Sequence, residues 1–257
     1  MKLTVLGSSS KGNCYILHDQ REALILEAGV KLGLVKLALN FDTNIIQGCL
    51  ISHEHGDHAA YAHDYQAFGI QVAASQGTIN KIRKTFSKYT VLQDDKIQNF
   101  TVLQDDKIQN FGSFTVCPFA VEHDAAEPLG FLINHPEFGN LLFATDCQAL
   151  PYDFGTVHTY LIEANFSKTI VDERLLKGTI NYQQVARTVE SHMSLETCID
   201  FLRQQDLRET ARIVLLHLSD GNSDAKGFTS QIMDETGNPN VYIADKGLEI
   251  SLHKIPF

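Results

Sequence analysis

Short apolar runs alternate with polar segments along this chain of 257 residues, and their spacing switches between two periods. Apolar runs bounded by turn residues predict β-strands, whereas apolar residues that recur every three or four positions predict α-helices. The predicted strands comprise residues 2–6, 14–18, 23–27, 49–52, 114–121, 129–134, 140–145, 160–163, 212–216, 241–243 and 248–251. The predicted helices comprise residues 30–40, 58–68, 75–87 with Ser75 as the cap, 169–176, 182–191, 194–205 and 225–235.

Strands and helices are interleaved in both halves of the chain, and no linker or low-complexity stretch separates them. This order predicts an α/β fold of layered sheets and helices, in a single domain that spans residues 1–257. With 44% hydrophobic and 20% charged residues, the composition is that of an ordinary globular protein.

Residues 90–111 contain a perfect tandem duplication, because residues 90–100 and 101–111 both read T-V-L-Q-D-D-K-I-Q-N-F. Two copies of so short a unit do not make a solenoid. We expect one copy to be packed and the other to be extruded as a loop or hairpin.

The net charge of −10 argues against broad, non-specific nucleic-acid binding, which needs a basic surface. It does not exclude a nuclease, because divalent ions would add positive charge at the site itself. The five cysteines are scattered and form no C-x-x-C pair, which indicates reduced thiols and a cytoplasmic protein. We expect neither a membrane span nor a secretory leader, because the sequence lacks the apolar runs that either would need. The sequence gives no indication of the oligomeric state.

The most informative segment is the pattern H-x-H-x-D-H at residues 53–58, which directly follows the apolar run at residues 49–51. Imidazole nitrogens and carboxylate oxygens suit zinc and related divalent metals. Alternate side chains at a strand end point the same way, so His53 and His55 can converge on one ion. Asp57 and His58 lie past the turn, where the chain can reverse toward a second ion. The spacing therefore suggests two adjacent metals, and a histidine-rich solvated loop is the alternative.

A site for two metals needs further donors, and three later residues stand at the ends of apolar strands. These residues are His123, Asp146 and His217. A lone histidine at a strand end is otherwise a capped or exposed ring, so each is a candidate ligand with an ordinary structural alternative.

Seven segments together resemble the metallo-β-lactamase fold over essentially the whole chain, and within it the YycJ-type branch of phosphodiesterases, relatives of ribonuclease Z and ribonuclease J. The segments are G-S-S-S-K-G-N-C (7–14), I-S-H-E-H-G-D-H (51–58), E-H-D-A-A-E-P-L-G-F (122–131), A-T-D (144–146), E-A-N (163–165), S-H-M-S (191–194) and H-L-S-D-G-N (217–222). The resemblance implies an αββα sandwich, in which two mixed β-sheets are flanked by helices and the metals lie at one sheet edge.

The resemblance also implies a set of seven ligands for two divalent metal ions, zinc or alternatively manganese. One ion would be held by His53, His55 and His123, the other by Asp57, His58 and His217, and Asp146 would bridge the pair.

Asp57 and His192 are the predicted catalytic residues. S-H-M-S resembles a late histidine motif of the ribonuclease Z group, so His192 is a candidate general acid for the leaving oxygen, and imidazole titrates in a range that suits this task. The alternative is a histidine that merely ends a helix. Glu27 stands where the family usually has an aspartate that orients metal-site histidines, and its extra methylene puts full activity in doubt.

Further residues are expected around the site. The turn with Ser9, Ser10 and Asn13 could cradle a phosphate through backbone N–H groups, or be an ordinary tight turn. Three more residues are predicted to border the pocket without an assigned role: Asn165, Ser219 and Asn222.

The predicted function is metal-dependent hydrolysis of a phosphodiester, as an exonuclease on single-stranded DNA or RNA that uses a metal-bridging hydroxide. Hydrolysis of a small ester, thioester or cyclic phosphodiester is the alternative enzymatic function. A descendant that binds nucleic acid or a partner without catalysis is the alternative of another class.

Overall fold

The computed structural model describes residues 1–87 and 100–254, which form an α/β fold with two mixed β-sheets flanked by helices. The strands are β1 (Lys2–Gly7), β2 (Cys14–His18), β3 (Ala23–Leu26), β4 (Ile46–Leu50), β5 (Val72–Ser75), β6 (Phe100–Leu103), β7 (Gln109–Phe111), β8 (Phe114–Ala120), β9 (Leu129–His135), β10 (Gly139–Ala144), β11 (Thr159–Glu163), β12 (Arg212–Leu216), β13 (Val241–Ile243) and β14 (Glu249–Ser251). The helices are α1 (Leu32–Ala38), α2 (Gly56–Ala59), α3 (Ala62–Phe68), α4 (Gln76–Ser87), α5 (Lys168–Leu176), α6 (Tyr182–Ser191), α7 (Leu195–Gln204) and α8 (Ala225–Thr236). Among these described helices, none is both long and apolar enough to cross a membrane.

The chain divides into two compact units. The first comprises Met1–Ala120, Ala125–Glu137 and Asp245–His253. The second comprises, among the described residues, Val121–Asp124, Phe138–Ala244 and Lys254. The single domain predicted from the sequence stays a prediction.

The first unit is built on a sheet with strand order β14-β1-β2-β3-β4-β5-β6, and it also contains the antiparallel strands β7, β8 and β9. Strands β1 to β3 are antiparallel, because short turns join them, and β3 to β6 are parallel. Strands β2 and β3 are buried along their whole length, as continuous apolar runs require. The buried core of this unit includes Ile25, Val35, Tyr65 and Ile79.

The predicted helix at residues 58–68 is wrong in one respect, since the chain forms two helices, α2 and α3, instead of one. The reason lies in two competing hydrogen bonds. The carbonyl oxygen of Asp57 accepts the N–H of Asn13 at 2.7 Å, and that of His58 accepts the N–H of Ala28 at 2.7 Å. Both carbonyls are therefore used by other segments, and Tyr61 donates its N–H to Ala28 rather than back along a helix.

Strands β5, β6 and β7 were not predicted. Ser75 ends β5 and also caps α4, as predicted, because its Oγ accepts the N–H of Thr78 at 3.1 Å. The second copy of the duplication supplies most of β6 and all of β7, with Leu103 and Phe111 buried. The first copy lies outside the described residues except for Phe100, so the prediction of one packed and one extruded copy stays a prediction.

The second unit contains the four parallel strands β10, β11, β12 and β13, in that order. Helices α5, α6 and α7 lie between β11 and β12 in the chain, and α8 lies between β12 and β13. The carboxyl ends of parallel strands meet at one edge of a sheet, which is where such folds place functional side chains. Here those ends carry Asp146, Glu163 and His217.

Candidate metal centre

The three motif histidines of the first unit form a cluster just beyond β4. The ring centroids of His53 and His55 are 4.6 Å apart, and those of His53 and His58 are 4.2 Å apart. His53 and His58 are buried, and the Oγ of Ser52 lies 2.9 Å from Nδ1 of His53. The end of β4 and the turn after it therefore bring these three histidines together.

Glu27 follows β3 and is fully buried. Its carboxylate oxygens both lie 3.3 Å from the N–H of Ser52, and Oε2 lies 3.6 Å from Nδ1 of His58. A longer side chain than the family's usual aspartate thus faces a histidine of the motif. Whether it orients that ring in function stays a prediction.

The turn between β1 and β2 contacts the motif through Asn13. Its amide nitrogen lies 3.3 Å from Oδ2 of Asp57 and 3.0 Å from Nε2 of His58. Ser9 bonds within its own turn, where its carbonyl accepts the N–H of Gly12 at 2.9 Å, and the side chain of Ser10 is exposed.

In the second unit, the predicted donors lie near one another. Nδ1 of His217 is 3.1 Å from Oδ1 of Asp146. Nε2 of His123 is 3.9 Å from Oδ2 of Asp146, while its Nδ1 bonds to the carbonyl of Ser191 at 2.9 Å. The carbonyl of Ser191 thus fixes the direction of the His123 ring.

Glu163 is a residue that sequence reasoning missed. It is fully buried at the end of β11, and its Oε2 accepts the N–H groups of Cys147 and Met193, each at 3.1 Å. Its Oε1 lies 2.7 Å from Nδ1 of His192 and 3.3 Å from Nδ1 of His217. The sequence feature that could have identified Glu163 is a carboxylate at the end of an apolar strand, within the segment E-A-N.

His192 and Glu163 each shift the pKa of the other toward the charged form. Burial on its own lowers the pKa of His192, but the charge and hydrogen bond of Glu163 raise that pKa above its usual value. Burial on its own raises the pKa of Glu163, but the charge of His192 and the hydrogen bonds from both histidines hold that pKa below its usual range. The His192 side chain is 21% exposed, so a substrate can reach it.

The three residues predicted to border the pocket support the backbone around His217. Asn165 donates from Nδ2 to the carbonyl of His217 at 2.7 Å, and its own carbonyl accepts the N–H of Ser219 at 2.8 Å. Asn222 donates from Nδ2 to Oγ of Ser219 at 3.3 Å.

Three of these residues adopt left-handed backbone conformations, with φ of 68° at Glu27, 48° at Asp146 and 53° at His217. Glu27 directly follows β3 and His217 directly follows β12, while Asp146 lies two residues after the end of β10. Such conformations in residues other than glycine cluster at functional sites.

The residues present fit a divalent cation. One ligand atom from each of Asp146, Glu163, His192 and His217 lies within 4.8 Å of the others, in the part of the chain that the structure describes. Nitrogen and carboxylate oxygen are the donors that zinc and its neighbours take in proteins.

Two mixed sheets flanked by helices, with histidines and carboxylates just beyond the strand ends, define a protein of the metallo-β-lactamase fold. The chain belongs to this superfamily, because the family model described as "Beta-lactamase superfamily domain" matches residues 36–218. The resemblance predicted from the sequence is thereby confirmed for the family and the fold.

Two relatives named as exodeoxyribonucleases are similar to the chain. Exodeoxyribonuclease YycJ of Bacillus anthracis is 26% identical over 254 residues, which cover 92% of this chain and 90% of that protein. Exodeoxyribonuclease WalJ of Streptococcus pneumoniae serotype 2 is 26% identical over 234 residues, which cover 86% of this chain and 83% of that protein. The Zn²⁺-bound crystal structure of PqqB from Methylobacterium extorquens superposes with a TM-score of 0.72 at 15% identity, covering 98% of this chain and 100% of that one, which shows the fold alone.

Proposed function

We propose that the chain is a metal-dependent phosphodiester hydrolase, and that it acts as an exonuclease on single-stranded nucleic acid, with DNA as the favoured substrate. One observation carries this proposal: a buried carboxylate, Glu163, holds His192 beside the donors Asp146 and His217. The names of the two relatives favour DNA over RNA.

The proposed ligands are those that the resemblance implies. One divalent ion would be held by His53, His55 and His123 and a second by Asp57, His58 and His217, and Asp146 would be a ligand of both. Zinc is the proposed metal, with manganese as the alternative. Such ions would supply an activated water and positive charge against the phosphate oxygens.

His192 is the proposed general acid. The Glu163 carboxylate lies 2.7 Å from its Nδ1 and raises the pKa of the ring, which favours the doubly protonated form whose Nε2–H would be given to the leaving oxygen. The side chain of His192 is partly exposed, which an acid that acts on a bound substrate requires. Glu163 acts through His192 and does not need to touch the substrate.

A second candidate function is hydrolysis of a small cyclic phosphodiester. The net charge of −10 favours it, because a small diester meets less repulsion than a long polyanion. A cytoplasmic location suits either substrate, and all five cysteines are free thiols.

The test is cleavage of 5′-labelled single-stranded DNA, the matching RNA and a cyclic dinucleotide, each with and without a chelator. We expect DNA cleavage that the chelator abolishes and that zinc or manganese restores, together with close to two metal ions per chain by elemental analysis. Protein that cannot be loaded with either metal would contradict the proposal, and cleavage of the cyclic dinucleotide alone would favour the second candidate.

Asp146→Ala provides the matched variant, and Asp172→Ala, at an exposed aspartate of α5, is its control. Asp146→Ala should lose both activity and metal while staying folded, because its carboxylate is assigned to both ions. Asp172→Ala should keep both. Unchanged turnover in Asp146→Ala would show that the bridging ligand is misassigned.

A further inference from the structure

Arg174, in α5, is a partly buried arginine whose head lies against the segment that follows the proposed donor His217. Its Nη1 donates to Oδ1 of Asn222, and its Nη2 lies 3.5 Å from the carbonyl oxygen of Thr179. A Cβ added to Gly221 would lie 2.7 Å from Nη1 and 3.4 Å from the guanidinium carbon Cζ. The guanidinium therefore rests on a position that carries no side chain, and it is fixed at a defined place on this segment.

The partners of this guanidinium are neutral. Within the part of the chain that the structure describes, no carboxylate forms an ion pair with Arg174, whereas Arg203 pairs with Glu235 and Arg208 with Asp206. A guanidinium has five N–H donors, and the two contacts above use only some of them. An arginine that keeps its charge and unused donors can bind an anion, and its planar fork fits two oxygens of a phosphate group.

Asn222 orients the arginine without neutralising it. Asn222 is buried, and both polar atoms of its side chain are engaged, since Oδ1 accepts from Arg174 and Nδ2 donates to Oγ of Ser219 at 3.3 Å. Its carbonyl accepts the N–H of Ser167 at 2.9 Å, and Ser219 donates its own N–H to the carbonyl of Asn165 at 2.8 Å. An amide oxygen carries no net charge, so the positive charge of the guanidinium stays available to a ligand.

The same network leads to the proposed donors and the proposed acid. Asn165 donates from Nδ2 to the carbonyl of His217 at 2.7 Å. It also donates its N–H to the carbonyl of Met193, the neighbour of His192, at 2.9 Å. Even fully extended, the chain from His217 to Asn222 would span at most about 18 Å. Arg174 therefore lies within reach of a nucleic-acid strand whose reacting phosphate is at these residues.

We propose that Arg174 binds a phosphate group of the substrate strand other than the one that is hydrolysed. This inference rests on the proposed function, because it assigns Arg174 to the substrate of the same site. The contact stabilises the complex with a strand and takes no part in the bond-breaking step. It supplies a positive group on a chain whose net charge of −10 repels nucleic acid. A diester with a single phosphate has no second phosphate for Arg174, so the contact favours a strand over such a substrate.

The first measurement compares Arg174→Ala with Arg208→Ala, which removes the same charge from an exposed arginine that pairs with Asp206. On single-stranded DNA, Arg174→Ala should raise KM about 10-fold with little change in kcat, the usual size of one hydrogen-bonded contact to a charged group. The slope of log KM against log salt concentration should decrease by about 0.7, the value for one phosphate contact on a single strand. Arg208→Ala should keep the KM and the salt dependence of the parent protein.

A nitrophenyl phosphodiester separates substrate binding from support of the fold. It has one phosphate, so Arg174→Ala should cleave it at the rate of the parent protein. Equal losses on DNA and on this diester would overturn the inference, because they would make Arg174 a support of the segment after His217.

Gly221→Ala is the second variant, and it decides the question if Arg174→Ala does not fold. Its Cβ would displace the guanidinium, which is the far end of a flexible side chain, without removing a charge. It should raise KM on DNA and lower the salt dependence in the same direction as Arg174→Ala. A parent-like KM and salt dependence in Gly221→Ala would contradict the inference.

The last measurement is the affinity of zinc-loaded protein for a fluorescent phosphorothioate oligonucleotide, which resists hydrolysis, by fluorescence anisotropy. Arg174→Ala should bind it about 10-fold more weakly than the parent protein. Parent protein that binds the oligonucleotide through Arg174 but cleaves no DNA would defeat the proposed function and leave the phosphate contact intact. Parent protein that cleaves DNA, with the same KM, affinity and salt dependence in Arg174→Ala, would overturn the inference and leave the proposed function intact.

Discussion

In the first unit the proposed donors lie within residues 53–58, whereas in the second unit they come from stretches of chain as far apart as His123 and His217. The first set is held largely by main-chain contacts, such as those of the Asp57 and His58 carbonyls with Asn13 and Ala28, both at 2.7 Å. In the second unit the buried carboxylate of Glu163 contacts the proposed donor His217 and also holds the neighbouring His192. One cluster therefore depends on steric fit of the backbone, and the other on charge.

This difference predicts different weaknesses. A cluster held by the backbone should lose its geometry when an atom is added where two segments of the chain are in close contact. A charge-held cluster should fail when a charge is removed without any change of shape. The following variants test each side of the comparison, from the largest expected effect to the smallest.

Gly29→Ala should have the largest effect. The new Cβ would lie 1.7 Å from the carbonyl oxygen of Asp57 and 2.5 Å from the nitrogen of Asn13, and both are backbone atoms that cannot turn aside. We expect a loss of stability of about 3 kcal/mol or more, together with loss of metal binding. Thermal unfolding and elemental analysis measure the two effects.

Gly33→Ala is the control for this variant, because Gly33 lies in α1 and an added Cβ would meet nothing within 4 Å. This substitution should be neutral or slightly stabilising, because alanine has a higher helix propensity than glycine. Equal behaviour of the two variants would break the claim that the first cluster is held by close backbone approach.

His192→Ala should slow the cleavage of single-stranded DNA by about 10²–10⁴-fold, the usual scale for the loss of a positioned acid. Zinc content should stay close to that of the parent protein, because the proposed ligand set does not include His192. A nitrophenyl phosphodiester should be affected much less, because its leaving oxygen needs no proton. Equal losses on the two substrates would reject the acid role, and loss of zinc would make His192 a ligand.

Glu163→Gln keeps the shape of the side chain and removes its charge. We expect cleavage about 10- to 100-fold slower, and an alkaline limb of the pH–rate profile displaced to lower pH, because the carboxylate raises the pKa of His192. The direction follows from that shift: without Glu163, the ring loses its proton at a lower pH, so activity falls earlier as the pH rises.

A double-mutant cycle of Glu163→Gln with His192→Ala, measured as the rate of cleavage of single-stranded DNA, tests whether the two residues act together. If Glu163 acts through His192, the double variant should be little slower than His192→Ala alone. Fully additive losses would show instead that Glu163 acts mainly through His217 or the fold.

Substitution of His18 should have the smallest effect. It tests whether the stability of the first unit depends on pH through a group outside the metal motif. Burial, and then the charge of Lys2, lower the pKa of His18 to about 4, while Nε2 lies 2.9 Å from Oγ1 of Thr4. The pKa of His18 is about 6.5 in the unfolded chain and about 4 in the folded protein. At pH values between these two, the unfolded chain binds more protons, so the free energy of unfolding decreases as the pH falls.

His18→Gln should remove part of this loss, on the order of 2 kcal/mol between pH 7.5 and pH 4. Urea unfolding at the two pH values measures it. An identical fall in stability in both proteins would show that other groups account for the response of this unit to acid.

The local motifs and the alternating pattern were sufficient to predict the α/β class, the family and many elements. The predicted bounds of β2, β12, β13 and α6 coincide with those of the structure. Apolar or amphipathic runs define these elements by themselves, because their burial depends on one face or one run of residues.

The parts that were missed depend on partners far away in sequence. The split between α2 and α3 follows from hydrogen bonds with Asn13 and Ala28, which no helical pattern reveals. Strand β5 runs directly into α4, and β6 and β7 lie within the tandem duplication, for which the sequence predicted one packed copy without defining its elements. Glu163 stood in a segment quoted for the resemblance, yet its role emerges only where the chain brings Cys147 and Met193 to it.

The left-handed backbone at Glu27, Asp146 and His217 has a consequence for protein engineering. Each such residue costs on the order of 1–3 kcal/mol, and glycine would adopt the same conformation with little strain. A redesign that relieved backbone strain alone would therefore favour glycine at all three positions, and would delete two proposed ligands and a buried carboxylate. These positions must be held fixed in any stabilised variant that is meant to keep its chemistry.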